Sequence, residues 1–362
     1  MNRRNLLKGG LAGLAAATFL RPAEVFAAAE PRSSTGKFIK LSSNENPYGF
    51  SPGAKQALLD SVADGNRYAS PDLVNKLEQE IAAREGLKAE NVVLGTGSGE
   101  VLCMAAIAFG QGEIVAPDPT FQSLMRYAET LGAKIKNVPL NEKFEHDFDS
   151  MAKAVGTATS LVYVCNPNNP TASLSPGNDL LAFCRETARK VTVFADEAYL
   201  EYTDDFPRNS LVELVRKGEN VIVSRTFSKI YGMAGLRIGY GLAPAEIARK
   251  LKRFRMTWFN NPSLSAALAA LADQDFIAES RRKNNEVRRD LMNELDRMKL
   301  SYAPSAANFL WVKTGPGSND LGDKMRRHNI LLGNPRNDWA RVTVGTRDEM
   351  IAFIKAFKEI KG

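Results

Sequence analysis

Four polar clusters stand at the ends of short apolar runs: Gly95-Thr96-Gly97-Ser98-Gly99-Glu100, Asn166-Pro167-Asn168-Asn169-Pro170, Asp196-Glu197-Ala198-Tyr199, and Ser224 through Lys229 with Arg237 beyond. The glycine cluster suits a phosphate, because backbone N–H groups at a helix N-terminus lack intrahelical partners and carry partial positive charge; it also suits a plain tight turn. As a dinucleotide fingerprint it fails where Glu100 replaces the last glycine, although Asp118 lies near the distance expected of a ribose contact. The Asn-Pro run is a rigid double turn. Asp196 follows the apolar Val191 to Ala195, and a carboxylate at the mouth of a buried strand should meet a cation. Lys229 sits among hydroxyls and cations, where it loses its proton more readily, and a neutral amine can form a Schiff base. Thr226, Ser228 and Arg237 could bind a phosphate at the same time. Hydroxyls, a guanidinium, a lysine and an acid are what pyridoxal phosphate requires.

The elements that would position these groups alternate along the chain. Short β-rich runs at 91–94, 113–116, 134–138, 161–165, 191–195, 221–225 and 238–242 are separated, in most cases, by helix-length amphipathic segments, which predicts βαβ units and a mostly parallel sheet covered on both faces. In such sheets ligands bind at the carboxyl ends of the strands, where all four clusters fall. Ser70 as N-cap with Pro71 at the first position, then Val74, Leu77 and Ile81 on one face, predicts a helix up to Gly86. Residues 262–298 read as a long helix, and 309–312, 330–332 and 341–344 as strands of a smaller α+β domain. The expected division is 30–65 as an arm and part of the small domain, 66–262 as the large domain, and 263–362 as the remaining small domain.

Composition narrows the function. The 362 residues hold 48 Lys plus Arg against 41 Asp plus Glu, a net charge of +7, with 44% hydrophobic residues, an ordinary soluble balance for a chain long enough to bury a sizeable core. Three cysteines without a CxxC and two distant histidines, His146 and His328, give no disulfide framework and no metal cluster. Basic runs at 249–255, 281–289 and 324–327 are spaced like solvated helix faces, so no nucleic-acid partner is expected. The first 29 residues run from Arg3-Arg4 and Lys8 through an uncharged stretch to Ala27-Ala28-Ala29, the order of an export signal, too short to span a membrane. The paired arginines resemble a twin-arginine signal, which predicts a periplasmic protein exported folded and cleaved near Ala29. Arg3, Arg4, Lys8 and Arg21 against Glu24 account for three of the seven net charges, leaving +4.

Taken together, Leu41 to Pro47, Arg67-Tyr68, the Asn-Pro run with Thr171, Asp196 to Tyr199, Ser228-Lys229 with Arg237, and Arg341 to Thr346 resemble the fold-type I pyridoxal phosphate enzymes of the class I/II aminotransferases, and among them the histidinol-phosphate aminotransferase group. The resemblance implies an α/β fold with a large, mostly parallel-sheet domain and a smaller α+β domain. It implies pyridoxal 5'-phosphate as cofactor and transfer of an amino group from an amino acid, or a histidinol phosphate-like amine, to a 2-oxo acid through a Lys229 Schiff base. A decarboxylase or lyase of the same fold is the alternative.

Carried over by position, Lys229 is the proton carrier, Asp196 the partner of the pyridine nitrogen, and Asn166 and Tyr199 the partners of the phenolic oxygen. Phe121 stacks on the ring; Ser98, Gly99, Thr226, Ser228 and Arg237 hold the phosphate; Tyr68 reaches it from a second subunit, which implies a homodimer with shared active sites. Arg341 clamps the substrate carboxylate, and Asn46 joins it in the substrate site. Two positions depart from the family pattern: Ala172 stands where glycine is usual, and Gly333 where histidinol-phosphate enzymes commonly carry a phosphate-binding arginine, for which Arg336 is the nearby substitute.

Overall fold

A computed structural model describes residues 38–361 apart from 207, 316, 317 and 334, so the expected signal at 1–29 lies outside the described residues. Eleven strands are described: β1 Ile39–Leu41, β2 Val92–Gly95, β3 Glu113–Asp118, β4 Lys134–Pro139, β5 Thr159–Cys165, β6 Thr192–Asp196, β7 Val221–Thr226, β8 Gly239–Leu242, β9 Phe309–Lys313, β10 Ile330–Leu332 and β11 Trp339–Thr343. Seven of them form one sheet in the order β2-β8-β7-β6-β5-β3-β4. All its pairs are parallel except those of β8, which runs antiparallel to both β2 and β7. The cause lies in the 227–238 connection: it carries only the short turn Ala234–Leu236 and no crossover helix, so the chain returns beside β7 in the opposite sense.

The central strands are apolar on both faces because both are covered. Val162 and Val164 pack with Val193 and Val223 on one side, and Leu161 and Tyr163 with Phe194 and Ile222 on the other. The helix Pro71–Glu85 forms as its sequence predicts. Ser70 Oγ accepts the Leu73 N–H, Pro71 opens the first turn, Val74, Leu77 and Ile81 are buried, and Gly86 ends it at φ +62°. The expected single helix over 262–298 is instead two, Asn261–Ala272 and Gln274–Arg297, because Asp273 turns out of the helix and its carboxylate caps the second one at the Phe276 N–H. Two small sheets, β1 with β10 and β9 with β11, share a separate apolar cluster with the helices Gln274–Arg297, Ser318–Arg327 and Arg347–Lys361.

The loop carrying Lys229 is fixed by close approach. Gly232 sits at φ +70°, and a Cβ there would lie 1.8 Å from Gly49 O, so only glycine lets this loop meet the arm. Behind the loop, Arg225 is 1% exposed. Its Nε and Nη2 reach Glu197 Oε2 at 3.0 Å each, Nη1 reaches Glu85 Oε1 at 2.6 Å, and Nη2 also reaches Ser210 Oγ at 2.8 Å. Removing one member of such a buried set leaves charge without a partner. Arg225→Met should therefore lower stability by about 3–5 kcal/mol, read as a fall in the denaturant midpoint; an unchanged midpoint would show that Glu85 and Glu197 find other partners.

Candidate active site

The carboxyl ends of β2, β5, β6 and β7 open on a cavity of about 390 Å³. Register brings them together: Cys165 lies beside Asp196, Asp196 beside Ser224, and Gly239 beside both Gly95 and Thr226. Of the residues expected from sequence, Ser98, Gly99, Phe121, Asp196, Tyr199, Thr226, Ser228, Lys229, Arg237 and Arg341 line this one space.

At one part of the wall the chain turns from β2 into the helix Ser98–Phe109 through Gly97 at φ +85°. A Cβ on Gly97 would lie 2.3 Å from Arg237 Nη2, so the glycine is what allows the guanidinium to reach the helix N-terminus. Arg237 Nη1 also donates to Ser228 Oγ at 3.3 Å. Glu100, which breaks the dinucleotide pattern, locks this turn. Its carboxylate accepts from the N–H groups of Thr96, Met256 and Thr257. Burial acts to raise its pKa, but these hydrogen bonds prevail and it lies below the ordinary value.

Asp196 is 3% exposed. Ser224 Oγ and the Ala198 N–H donate to its Oδ1 at 3.1 and 3.2 Å, and the Tyr163 hydroxyl to Oδ2 at 3.2 Å. Burial pushes its pKa up to about 6 against the pull of those donors and of Lys229. Lys229 Nζ donates to Ser43 O at 2.9 Å; burial, then the Arg341 charge, lowers its pKa to about 8, with Glu45 and Asp196 opposing. Arg341 donates from Nη1 to Asn169 Oδ1 at 2.8 Å and from Nη2 to Ser42 O at 2.6 Å, while its buried Nε has no partner among the described residues.

Three expected residues fall elsewhere. Asn166 does not line the cavity, and its Oδ1 accepts the Ser175 N–H at 2.8 Å. The Asn-Pro loop instead presents Asn169, whose Nδ2 donates to the Tyr199 hydroxyl at 3.3 Å. Asn46 is likewise not in the wall: Nδ2 is taken by Ile230 O at 2.7 Å and Oδ1 by the Tyr48 N–H, so it fastens the arm to the Lys229 loop. Ser43 and Glu45 of the same arm do line the cavity. Tyr68 is 88% exposed and lies outside the cavity of its own chain. Ala172 is at φ +61° and fully buried, a conformation that suits the glycine expected there and leaves alanine in a region strained by about 1–2 kcal/mol.

An adjoining chamber of about 880 Å³ shares Ser43, Phe121, Asn169 and Arg341 and adds Trp311, Leu332, Gly333 and Arg336. Arg336 Nη2 meets both oxygens of Asp118, at 3.1 and 3.0 Å. A Cβ on Gly333 would lie 3.3 Å from Arg341 Nε and Nη2, so a side chain at 333 would crowd that guanidinium.

The residues present fit a phosphorylated pyridine aldehyde. The Gly97–Arg237 cradle and the Thr226 and Ser228 hydroxyls suit the phosphate, buried Asp196 suits a protonated ring nitrogen, and Lys229 Nζ shares the same cavity.

The family described as aminotransferase class I and II matches residues 36–357. The chain is similar to histidinol-phosphate aminotransferase of Moorella thermoacetica, 39% identical over 89% of this chain and 85% of that protein. It is also similar to histidinol-phosphate aminotransferase 2 of Carboxydothermus hydrogenoformans, 36% identical over 89% of this chain and 90% of that protein. Among solved structures, the histidinol-phosphate aminotransferase of Sinorhizobium meliloti in complex with pyridoxal-5'-phosphate superposes with a TM-score of 0.80 at 28% identity, over 89% of this chain and 91% of that chain.

The Asp196 shift carries a pH-dependent consequence for the cofactor-free protein. Its folded-state pKa of about 6 stands above its ordinary 3.8. The stability it contributes is therefore full below pH 4 and is lost as pH rises through about 6. Asp196→Asn should stabilise the cofactor-free protein at pH 8 by on the order of 2 kcal/mol and change little at pH 4; thermal unfolding at the two pH values checks it, and equal effects at both would remove the burial argument.

Proposed function

The chain belongs to the class I and II aminotransferases and is a pyridoxal 5'-phosphate-dependent transaminase, and from that premise we propose what each side chain in the cavity does. The observation that carries the assignment is the convergence of Lys229, Asp196, Arg237 and Arg341 on one cavity. When bound, pyridoxal 5'-phosphate supplies an aldehyde that takes up an amino group and a ring that draws electrons from the substrate α-carbon.

Lys229 would hold the cofactor covalently. Its pKa of about 8 leaves a useful fraction of Nζ neutral near neutral pH, so that the freed amine can move the proton from the substrate α-carbon to the former aldehyde carbon. Asp196, ionised, would accept a hydrogen bond from the protonated ring nitrogen, and that positive charge answers the desolvation it suffers when alone. Tyr199 would donate to the phenolic oxygen and Phe121 would lie against the ring. The N–H groups of Ser98 and Gly99, the hydroxyls of Thr226 and Ser228, and Arg237 would hold the phosphate.

Arg341 would receive the substrate α-carboxylate, its direction fixed by Asn169 and Ser42. With Gly333 where a second arginine is expected and Arg341 the oriented cation of the site, α-amino acids with 2-oxo acid acceptors are the substrates, and histidinol phosphate, which has no α-carboxylate, is the weaker donor. The purified enzyme should show a visible absorption band that borohydride abolishes. Lys229→Ala should lack that band and lose amino transfer by about 10³-fold. Turnover without an oxo-acid acceptor would point to a lyase, and retention of the band in Lys229→Ala would move the attachment site elsewhere.

We also propose a homodimer exported to the periplasm through the twin-arginine machinery. The order of residue types over 1–29 supports export. Tyr68, Met256 and Trp258 support association: they are 88%, 59% and 43% exposed and adjacent, since Tyr68 bridges Asn260 and Trp258 Nε1 donates to Ala69 O at 2.9 Å. Exposed large side chains grouped in this way mark an interface. The patch borders the phosphate turn through Thr257 and Thr96, as sharing of Tyr68 between sites requires. The small sheets outside β2–β8, with their own apolar cluster, support a separate smaller domain, and the packing of Leu264, Ala267 and Leu271 into the large-sheet cluster favours a start beyond residue 272 rather than near 262. Cell fractionation should find the full chain in the periplasm and lose it there when Arg3 and Arg4 become lysine, and sedimentation should give a dimer that Tyr68→Ala with Trp258→Ala weakens; a cytoplasmic monomer would overturn both.

A further inference from the structure

We infer that Asn44 is a positioning residue that keeps the Tyr199 hydroxyl a donor toward the cofactor and ties that donor to the strand carrying Arg341. This rests on the role given to Tyr199 above.

Asn44 is 1% exposed and lies in the arm at φ +54°, a left-handed conformation that asparagine tolerates better than most residues. Its side-chain orientation follows from its partners. Thr343 Oγ1 accepts the Asn44 N–H at 3.0 Å, so the hydroxyl hydrogen of Thr343 is free to go to Asn44 Oδ1, 3.1 Å away. That fixes Oδ1 as the acceptor and turns Nδ2 to the Tyr199 hydroxyl at 3.0 Å. Asn169 is fixed in the same way: Arg341 has only donors, so Asn169 Oδ1 must face Nη1 at 2.8 Å, and its Nδ2 turns to Tyr199 at 3.3 Å.

Two amide donors therefore occupy both lone pairs of the Tyr199 oxygen. The hydroxyl can only donate its own hydrogen, no protein acceptor for it is found among the described hydrogen bonds, and Tyr199 lines the cofactor cavity. Without Asn44 one lone pair is freed and the direction of the O–H is no longer dictated. The ring itself is held separately, edge-on to Phe309 with centroids 4.9 Å apart, so Asn44 acts on the proton rather than on the position of the ring. Because Thr343 and Arg341 share β11, the same residue links the carboxylate-binding strand to the cofactor's oxygen.

A donor on the phenolic oxygen stabilises its negative charge and weakens its hold on the proton it shares with the nitrogen linked to the cofactor. Losing the donor keeps that proton in place to higher pH. The test is the pH titration of the visible absorption band of the holoenzyme. Asn44→Gly, which retains the left-handed backbone, should raise the midpoint by about half a unit to one unit. Thr343→Val should raise it less, from the other end of the chain of bonds. In a Tyr199→Phe background neither change should move it further. An unmoved midpoint in Asn44→Gly, or an equal shift with and without the Tyr199 hydroxyl, overturns the inference while leaving the Tyr199 role intact. Should Asn44→Gly fold poorly, Thr343→Val in the two backgrounds decides. If Tyr199→Phe alone leaves the midpoint where it was, the role of Tyr199 fails and this inference with it.

Discussion

Arg225 is the constraint on which the site depends. A guanidinium buried at 1% exposure is tolerable only with several charged or polar partners, and here Glu85, Glu197 and Ser210 supply them. Those partners come from the end of the helix Pro71–Glu85, the residue that follows β6 and the segment before Val212. The consequence for chemistry follows from the strand period of two. Ser224 and Thr226 face one side of β7, where Ser224 touches Asp196 and Thr226 lines the cavity. Arg225 faces the other side and meets Glu197, the residue after Asp196. The ionic pin thus closes directly behind the side chains that do the work and sets the distance between β6 and β7 without entering the cavity.

The cavity itself is electrostatically unfinished. Burial raises Asp196 and lowers Lys229, the same cost appearing with opposite sign on an acid and a base. Arg237 and Arg341 add positive charge, and Arg341 keeps a buried Nε with no partner among the described residues. In the proposed arrangement, a cofactor with a dianionic phosphate at one end and a protonated ring nitrogen at the other would answer the Arg237 and Asp196 imbalances, and a substrate carboxylate would answer that of Arg341. The left-handed backbone at Ala172 and the close approaches that Gly97 and Gly232 permit are of the kind expected where geometry serves chemistry rather than stability.

Much of this was legible in the sequence because the signals were local. The seven runs of the large sheet and the capped helix from Pro71 to Glu85 were readable from periodicity and caps, and the polar clusters around Ser98, Asp196 and Lys229 from their place at strand ends, whereas Phe121 and Arg341 came only through the family resemblance. What was not legible depended on which of several like residues faces inward. Asn166 and Asn169 stand in one run of asparagine and proline, and only the path of the loop decides that Asn169 meets Arg341 and Tyr199. Asn44 and Asn46 are two apart in the arm, and both point into protein. Partners 299 and 184 residues away, Thr343 for one and Ile230 for the other, separate their roles. Asp273 was hidden for another reason: helical periodicity continues across it, and only its capping bond shows the break.

The adjoining chamber shows how specificity can reside in one group while others merely surround it. Arg336 and Asp118 are 48% and 34% exposed along their side chains, and an ion pair so open to water is worth about 1 kcal/mol or less. Such a pair gives way easily to a substrate charge of either sign and so discriminates little. Arg341 differs because it is largely desolvated, its Nη1 and Nη2 are already oriented by Asn169 and Ser42, and the absence of a side chain at Gly333 leaves its guanidinium uncrowded. A carboxylate that meets Arg341 gains a charge-assisted bond in a poorly solvated setting, whereas a substrate without one leaves that charge unanswered. If Arg341 receives the α-carboxylate as proposed, the selection of substrates would fall on the group at the α-carbon more than on whatever occupies the chamber beside Trp311.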